Sequence, residues 1–359
     1  MTDPRGCGLQ ATAPPVSHHI SYDVAHVHHQ SRAAIRTGVS TLANFLRLLG
    51  RRLAALPLMI LGVTLLVFVV LQFAPGDRAV SALGEGASPE ALEQYRQANG
   101  YNEPLFIQYF TYLGKLIRGD FGNTLPPAKP ITEVIASAFP VTLQLTFLGV
   151  LIAIVISLVF GVLAALYRDT WVDQVIRVFS IAAIATPSFW LGILLIQWFA
   201  LGENSWFPSG GLADPSEGFG GWLSSMTLPA LALAVPVSAS LIRVVRTSMV
   251  EELDRDYVRT AIGNGVPYFT VVSRNVLRNA LVTPVTVLGL RIGYLLGGAV
   301  VIEMIFSLPG MGQQILNGIT NSDTNLVQGV VLIIAVTFVL VNILVDLLYL
   351  LINPRIRTV

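Results

Sequence analysis

The stretch "DYVRTAIGNGVPYFTVVSRNVLRNAL", residues 256–281, is a polar segment between two strongly apolar ones. Its first part, with Asp254 and Arg255 before it, predicts a short helix that ends at glycine, since Gly263 or Gly265 can supply the left-handed turn that closes a helix. Pro267 then prevents a simple continuation of that helix. The rest predicts a second helix that leads into the next apolar run. Together they predict a helix–turn–helix that lies across a membrane face.

The composition of the whole chain is that of a polytopic membrane protein. Its 359 residues are 53% hydrophobic and 12% charged, with a mean hydropathy of +0.68, whereas soluble domains carry about 25% charged residues. A spanning helix needs roughly 20 mostly apolar residues, and six runs meet this need: about Leu53–Ala74, Val141–Leu166, Val175–Leu201, Leu228–Val245, Pro284–Phe306 and Val327–Ile352. The sequence therefore predicts an all-α membrane protein with six transmembrane helices.

Several kinds of site are excluded or disfavoured by residue content. Cys7 is the only cysteine, which excludes an internal disulfide and a cysteine-based zinc site. All five histidines lie at or before His29, in a polar tail that we expect to be disordered over residues 1–44 or to reflect a start codon placed too early. The histidines of such a tail have no fixed geometry, so no metal site is predicted. The net charge of +1 gives no sign of a nucleic-acid partner.

The orientation follows from arginine and lysine in the short loops. The connections at about 202–226 and 307–326 contain neither residue. The opposite side holds Arg51, Arg52, Arg168, Arg246, Arg255, Arg259, Arg274, Arg278, Arg355 and Arg357. Both termini are therefore predicted to be cytoplasmic. The segment at 75–140 is also basic, but loops longer than about 60 residues do not decide orientation, and we expect it outside.

That outer segment carries signals of folded structure. Ser88 is a candidate N-cap with Pro89 at the first helical position. An apolar stripe at helical spacing follows, made of Phe106, Tyr109, Phe110, Leu113, Leu116 and Ile117. The stripe either packs on the transmembrane bundle, lies on the membrane interface or faces a soluble partner.

The polar segment at 256–281 resembles the coupling loop, or "EAA" motif, of permease subunits in binding-protein-dependent ABC importers. That motif is Glu-Ala-Ala, three residues, Gly, nine residues, then Ile-x-Leu-Pro. The matching positions here are Arg259, Thr260, Ala261, Gly265, Asn275, Leu277 and Arg278. Arg259, Asn275 and Arg278 depart from the general motif. With Asp256 and Tyr257, they look like the variant "DYVRTA…G…RNAL" of the dipeptide, oligopeptide and nickel permease branch.

Other stretches are similar to that branch in the same order along the chain. They are "GVTLLVF", "APGD", "EPLFIQYFTYLGKLIRGDFG", "TPSFWLGILL", "GGAVVIEMIFSLPGMG", "VQGVVL" and "VDLLYLLINPRIR". The resemblance covers roughly residues 45–359 and implies a type I importer permease domain with a folded extracytoplasmic loop and a cytoplasmic coupling loop at 247–283. The sequence departs from the branch at 99–102, where "NGYN" stands for Leu-Gly-Leu-Asp, and at 322–325, where "SDTN" stands for Arg-Asp-Tyr-Pro.

The resemblance implies a non-catalytic subunit that forms half of a path for short peptides through the inner membrane of a prokaryote. The chain lacks a G-x-x-x-x-G-K-[ST] phosphate loop, so no cofactor is expected on it, and ATP and Mg²⁺ would act on partner subunits. The expected partners are a second homologous permease, two ATPase domains or subunits, an extracellular solute-binding lipoprotein and membrane lipid. A nickel chelate or glutathione remains an alternative cargo.

Arg291, Asp346 and Glu303 lie within the predicted spans and are functional candidates for that reason. Arg291 and Asp346 lie at similar depths in the fifth and sixth spans, where an ion pair between them would join the two helices. Glu303 lies just before "SLPGMG", where it either helps to close an outer gate or caps the following turn.

Two other classes of protein compete with this interpretation. A secondary transporter usually shows inverted halves with charged or broken-helix sites near mid-membrane, and neither is clear here. An intramembrane hydrolase needs a nucleophile and a base within the spans, and the absence of histidine beyond His29 argues against a histidine-based one.

Overall fold

The computed structural model describes residues 50, 54–73, 76–202, 205–214, 216 and 218–352, with the backbone alone at 346–352. The predictions for the tail at 1–44 and for the last seven residues, 353–359, lie outside these residues. Apart from an isolated bridge between Asn123 and Pro130, all regular structure in the described part is helical. This confirms the predicted all-α class.

The helices are numbered here in chain order. They are α1 (Ala54–Gln72), α2 (Arg78–Leu83), α3 (Pro89–Ala98), α4 (Leu105–Ile117), α5 (Ile131–Leu166), α6 (Trp171–Ala185), α7 (Ser188–Phe199), α8 (Phe219–Leu253), α9 (Asp256–Gly263), α10 (Tyr268–Thr270), a π-helix (Val271–Val276), α11 (Leu277–Ala280), α12 (Val282–Ile305), α13 (Met311–Thr320) and α14 (Thr324–Ile352).

Five of these helices, α1, α5, α8, α12 and α14, are long and apolar enough to cross a membrane. Helices α6 and α7 meet the same test only as a pair, bent by 107°. The third predicted span is thus a broken one, and the described chain has six spans when the bent pair counts as one. The break lies at Thr186, which has extended backbone (φ −84°, ψ 120°) because the following Pro187 disfavours helical geometry there.

Two of the helices begin well before the apolar runs that predicted them. Helix α5 starts at Ile131 and α8 at Phe219, where the sequence pattern indicated Val141 and Leu228. The 36 residues of α5 extend for about 54 Å at 1.5 Å per residue, well beyond a hydrocarbon core of roughly 30 Å. An apolar run therefore locates only the membrane-embedded part of such a helix.

Helix α8 is the centre of the core. It contributes a series of fully buried small residues, among them Ala230, Ala232 and Ala234, which pack with residues of α5, α7 and α12. Small residues allow helix backbones to approach closely in a membrane. Helices α5 and α8 approach closely at Gly161, because a Cβ at that position would lie only 2.6 Å from the Cβ of Val245 on α8.

The predicted outer segment is folded. The Ser88 hydroxyl accepts a hydrogen bond from Ala91 N–H at 3.2 Å with Pro89 at the first helical position, which confirms the predicted start of α3. Helix α4 packs on α1, where Phe68 lies against the rings of Tyr109 and Tyr112. Other apolar side chains of α4 are exposed, among them Leu105, Phe106, Phe110 and Ile117. The predicted stripe thus supplies Tyr109 to the bundle contact and leaves Phe106, Phe110 and Ile117 exposed.

Candidate functional site

The short helix α9 and its closing turn form as the sequence predicts. Gly265 has a left-handed φ of +82°. Its N–H donates to Ile262 O at 2.9 Å, and the N–H of Val266 donates to Ala261 O at 3.1 Å. These two bonds are the Schellman pattern, which satisfies the last carbonyl groups of a helix. The chain then turns at Pro267 into the second helical part, which contains the π-helix and leads into α12.

One face of α9 packs inward on an apolar cluster that we call the loop cluster. Its buried members are Ala165, Val245, Met249, Val258, Val271, Val272, Val276 and Ala280. Three predicted docking residues, Tyr257, Ala261 and Leu277, pack against it. The Tyr257 hydroxyl also bonds to Glu252 Oε2 at 2.9 Å. The pKa of the Tyr257 phenol is raised, and burial is the main cause. These three residues therefore hold α9 in place from within.

The other face of α9 and the turn after it are exposed. The predicted residues Asp256, Arg259, Thr260 and Gly265 are exposed there, and Asn275 is exposed on the π-helix. Apolar side chains accompany them, with Ile262 44% and Phe269 81% exposed, and Val266 and Tyr268 exposed as well. We call Arg259, Ile262, Val266, Tyr268 and Phe269 the outward patch. Sequence reasoning missed its apolar members, although the spacing of Ile262 and Val266 was a signal.

Two ion pairs join the helices at the α9 end of the bundle, and the sequence analysis predicted neither of them. Asp173 on α6 is fully buried and accepts hydrogen bonds from Arg246 on α8, at 2.6 Å from Nε and 2.7 Å from Nη2. Arg168, just after α5, pairs with Asp254, just after α8, at 2.8 Å. The hydrogen bond from Arg168 lowers the pKa of the Asp254 carboxyl. The α9 end of the bundle is thereby tied across α5, α6 and α8.

The predicted intramembrane charges have separate surroundings. Arg291 Nη2 donates to Ser240 Oγ at 3.2 Å, which joins α12 to α8. The side chain of Asp346 lies outside the described part, so the predicted pair between them stays a prediction. Glu303 is fully buried, and its Oε2 accepts the N–H of Gly312 at 2.6 Å in the first turn of α13. This contact corresponds to the second of the two roles predicted for Glu303, in which it caps the following turn.

The tight packing around Glu303 supports that role. A Cβ added at Gly310 would lie 2.3 Å from the Glu303 Cδ, and one at Gly312 would lie 2.3 Å from Val300 O. The glycines of "SLPGMG" therefore let the start of α13 fold directly onto α12. The neighbouring N–H of Met311 donates to Thr142 Oγ1 at 3.0 Å, which ties the same turn to α5.

Comparison with known proteins identifies the family. Residues 157–358 match the family described as "Binding-protein-dependent transport system inner membrane component", and residues 45–146 match the family of the N-terminal part of that membrane component. A putative peptide transport system permease of Brucella abortus (strain 2308) is 39% identical over 310 residues, which cover 86% of this chain and 98% of that protein.

Two proteins of Escherichia coli (strain K12) are similarly related. A probable D,D-dipeptide transport system permease is 36% identical over 333 residues and covers 87% of this chain and 98% of its own length. A glutathione transport system permease is 37% identical over 295 residues, which cover 82% of this chain and 94% of that protein. The chain therefore belongs to the inner-membrane permeases of binding-protein-dependent ABC importers, in the dipeptide and oligopeptide branch, and is a non-catalytic component that works with solute-binding and ATPase partners.

Proposed function

We propose that this chain forms half of a translocation path for short peptides. The relatives named as peptide and D,D-dipeptide permeases, which match almost their full length, support this cargo. The relative named as a glutathione permease makes glutathione the second candidate. Glutathione is itself a small peptide, so the two candidates share a chemical class.

The remaining partners follow from the same proposal. A second homologous permease completes the path, two ATPase domains or subunits drive it, and an extracellular solute-binding lipoprotein delivers the peptide. Both termini are cytoplasmic, since the basic short loops lie on the α9 side. ATP and Mg²⁺ act on the ATPase partners, and this chain binds no cofactor.

The observation that carries the docking role is the two-sided construction of α9. Its inner face is fixed by the loop cluster, whereas the outward patch leaves apolar and cationic side chains exposed. Exposed apolar groups around a charged residue are typical of a protein–protein contact. We propose that the outward patch enters a groove of an ATPase subunit and that Asp256, Arg259 and Thr260 lie in that contact.

A substitution at the centre of the outward patch tests the docking role. Ile262→Asp places a charge in the proposed contact, where an unpaired buried charge costs several kcal/mol. The matched control is Leu83→Asp on α2, because both side chains are 44% exposed. We expect Ile262→Asp to lose ATPase subunits on purification and to lose ATP hydrolysis stimulated by the binding protein, while Leu83→Asp retains both. Equal retention in the two variants would show that this face is not the docking site.

A further inference from the structure

A cavity of about 400 Å³ with a mixed polar and apolar lining lies at the end of the bundle opposite α9. Small-molecule sites commonly measure about 300–1,000 Å³. The cavity lies between the outer segment, the end of α1 and the turn from α13 to α14. Its polar lining residues are Gln72, Asp77, Arg78, Arg96, Tyr101, Gln108, Ser322 and Thr324.

Two hydrogen-bond donors in this lining have no acceptor within the described part of the chain. Arg78 Nη2 and Gln72 Nε2 are both buried, and neither finds a partner among the described residues. The Arg78 Cζ lies 5.2 Å from the centre of the Tyr101 ring, whose face attracts a cation. Buried donors are nearly always paired in folded proteins. Burial lowers the pKa of Arg78, yet a guanidinium keeps its charge at neutral pH.

None of the described carboxylates forms an ion pair with Arg78. Asp77 pairs with Arg96 and accepts the N–H of Ala79 at 2.8 Å. The oxygens of Asp323, in a small adjoining cleft, accept the N–H groups of Leu125 and Leu326 at 2.7 and 3.0 Å. The charged residues that line the cavity itself are Arg78, Arg96 and Asp77, and Asp323 lies in the adjoining cleft that Arg78 also lines. With Arg96 paired to Asp77, Arg78 is the cation of this lining that is left to bind an anion such as a carboxylate.

The two stretches that the resemblance set apart, 99–102 and 322–325, both contribute to this cavity. The variant stretch at 99–102 contributes Tyr101, and the one at 322–325 contributes Ser322 and Thr324. Asn99 and Asn325 line a second cleft that shares Arg78. Stretches more than 200 positions apart in the sequence thus meet around one guanidinium.

We infer that this cavity binds the carboxylate of a small solute, with the Arg78 guanidinium and the Gln72 amide as its donors. A guanidinium and an amide offer N–H groups that a carboxylate accepts readily. The inference rests on the proposed function, since the solute reaches this face only if the cavity opens to the outside. A short peptide carries such a group at its C-terminus.

Protection of a reporter thiol tests this site directly. The reporter is Ser322→Cys in a Cys7→Ser background, within the complete permease–ATPase complex in nanodiscs and without binding protein. The probes are N-acetylalanine and N-acetylalaninamide, which differ only in the carboxylate. We expect N-acetylalanine to slow modification by a maleimide at least fivefold and the amide to have no effect.

Substitutions then assign the protection to Arg78 and Gln72. We expect Arg78→Gln to raise the N-acetylalanine concentration needed for half-maximal protection roughly tenfold or more, as the loss of a charge-assisted hydrogen bond does. Gln72→Leu should raise it by a smaller factor and serves as an independent variant if Arg78→Gln does not fold. Arg118→Gln is the matched control, because Arg118 is an exposed arginine of the same outer segment.

Two results would overturn the inference. One is equal protection by the acid and the amide, or protection that survives both Arg78→Gln and Gln72→Leu. The other is a lack of protection together with weaker docking of the binding protein in Arg78→Gln, which would assign the guanidinium to a protein carboxylate instead. Labelling needs neither transport nor ATP, so failure here and failure of the docking test at Ile262 are separate results.

Discussion

Replacement of Gly265 tests whether the turn after α9 sets the coupling geometry. A Cβ at Gly265 or at Gly263 would meet no atom within 4 Å, so alanine at either position causes no clash. The two positions differ in backbone conformation, since Gly265 has φ +82° whereas Gly263 ends the helix. A left-handed conformation costs a residue with a side chain roughly 1–2 kcal/mol. Alanine at a helical position instead gains up to about 1 kcal/mol over glycine.

Proline at 265 perturbs the same turn more strongly. Its ring holds φ near about −65°, far from the native value, and it also restricts the residue before it. It removes the N–H that donates to Ile262 O at 2.9 Å, a bond worth about 0.5–1.5 kcal/mol. Added to the backbone cost, the turn loses roughly 3 kcal/mol, which corresponds to more than a hundredfold fewer molecules with the native turn.

The assay compares Gly263→Ala, Gly265→Ala and Gly265→Pro in the reconstituted importer. We expect wild-type uptake per ATP hydrolysed in Gly263→Ala, a severalfold loss in Gly265→Ala and uncoupling in Gly265→Pro. Membrane abundance should be similar for all three, because the spans lie outside this turn. Wild-type uptake, ATPase stimulation and ATPase retention in Gly265→Pro would refute the reasoning.

Three further predictions follow from the sequence and the packing. The purified chain should hydrolyse no ATP by itself, since it has no phosphate loop; hydrolysis by a contaminant-free sample would contradict this. Deletion of residues 1–40 should leave insertion and uptake unchanged at equal abundance, because the sequence of that stretch is polar and shows no sustained apolar periodicity, and lost uptake would assign it a role. Arg246→Met should lower the free energy of unfolding by about 3 kcal/mol, because Asp173 is left buried without its main partner, whereas Asp173→Asn combined with Arg246→Met should recover much of the loss in a denaturation experiment.

The sequence predicted the local geometry of α9 well, because that geometry depends on neighbouring residues. The helix from Asp256 to Gly263 and the left-handed Gly265 follow from a glycine and a proline a few positions apart. The same holds for the start of α3, where Ser88 and Pro89 suffice. The assignment of the spans succeeded for a similar reason, since a long apolar run has few alternatives to a membrane helix.

What the sequence could not show depends on contacts between distant residues. Asp173 and Arg246 are 73 positions apart, and nothing local to either marks it as a partner. The inner face of α9 was equally hidden, because Val271, Val272 and Val276 return from the second helical part to cover Val258. A π-helix, with its longer hydrogen-bond step, also alters the helical spacing by which such a face is recognised. The break of 107° between α6 and α7 was not predicted, because a proline does not by itself end a membrane helix: Pro229 and Pro236 lie inside α8.

The packing of α9 on the bundle determines how a displacement at the outward patch would be transmitted to the other helices. The loop cluster joins α9 to Ala165 on α5 and to Met249 on α8. The pair of Asp173 and Arg246 adds α6 to the same unit. Closely packed cores shift as units rather than deforming continuously, because their interiors are as dense as molecular crystals. A displacement of α9 would therefore carry the near ends of α5, α6 and α8 with it.

The bend between α6 and α7, at Thr186 and Pro187, interrupts the helical hydrogen bonds of the third span. Relative movement of the two ends of that span would therefore concentrate at this bend.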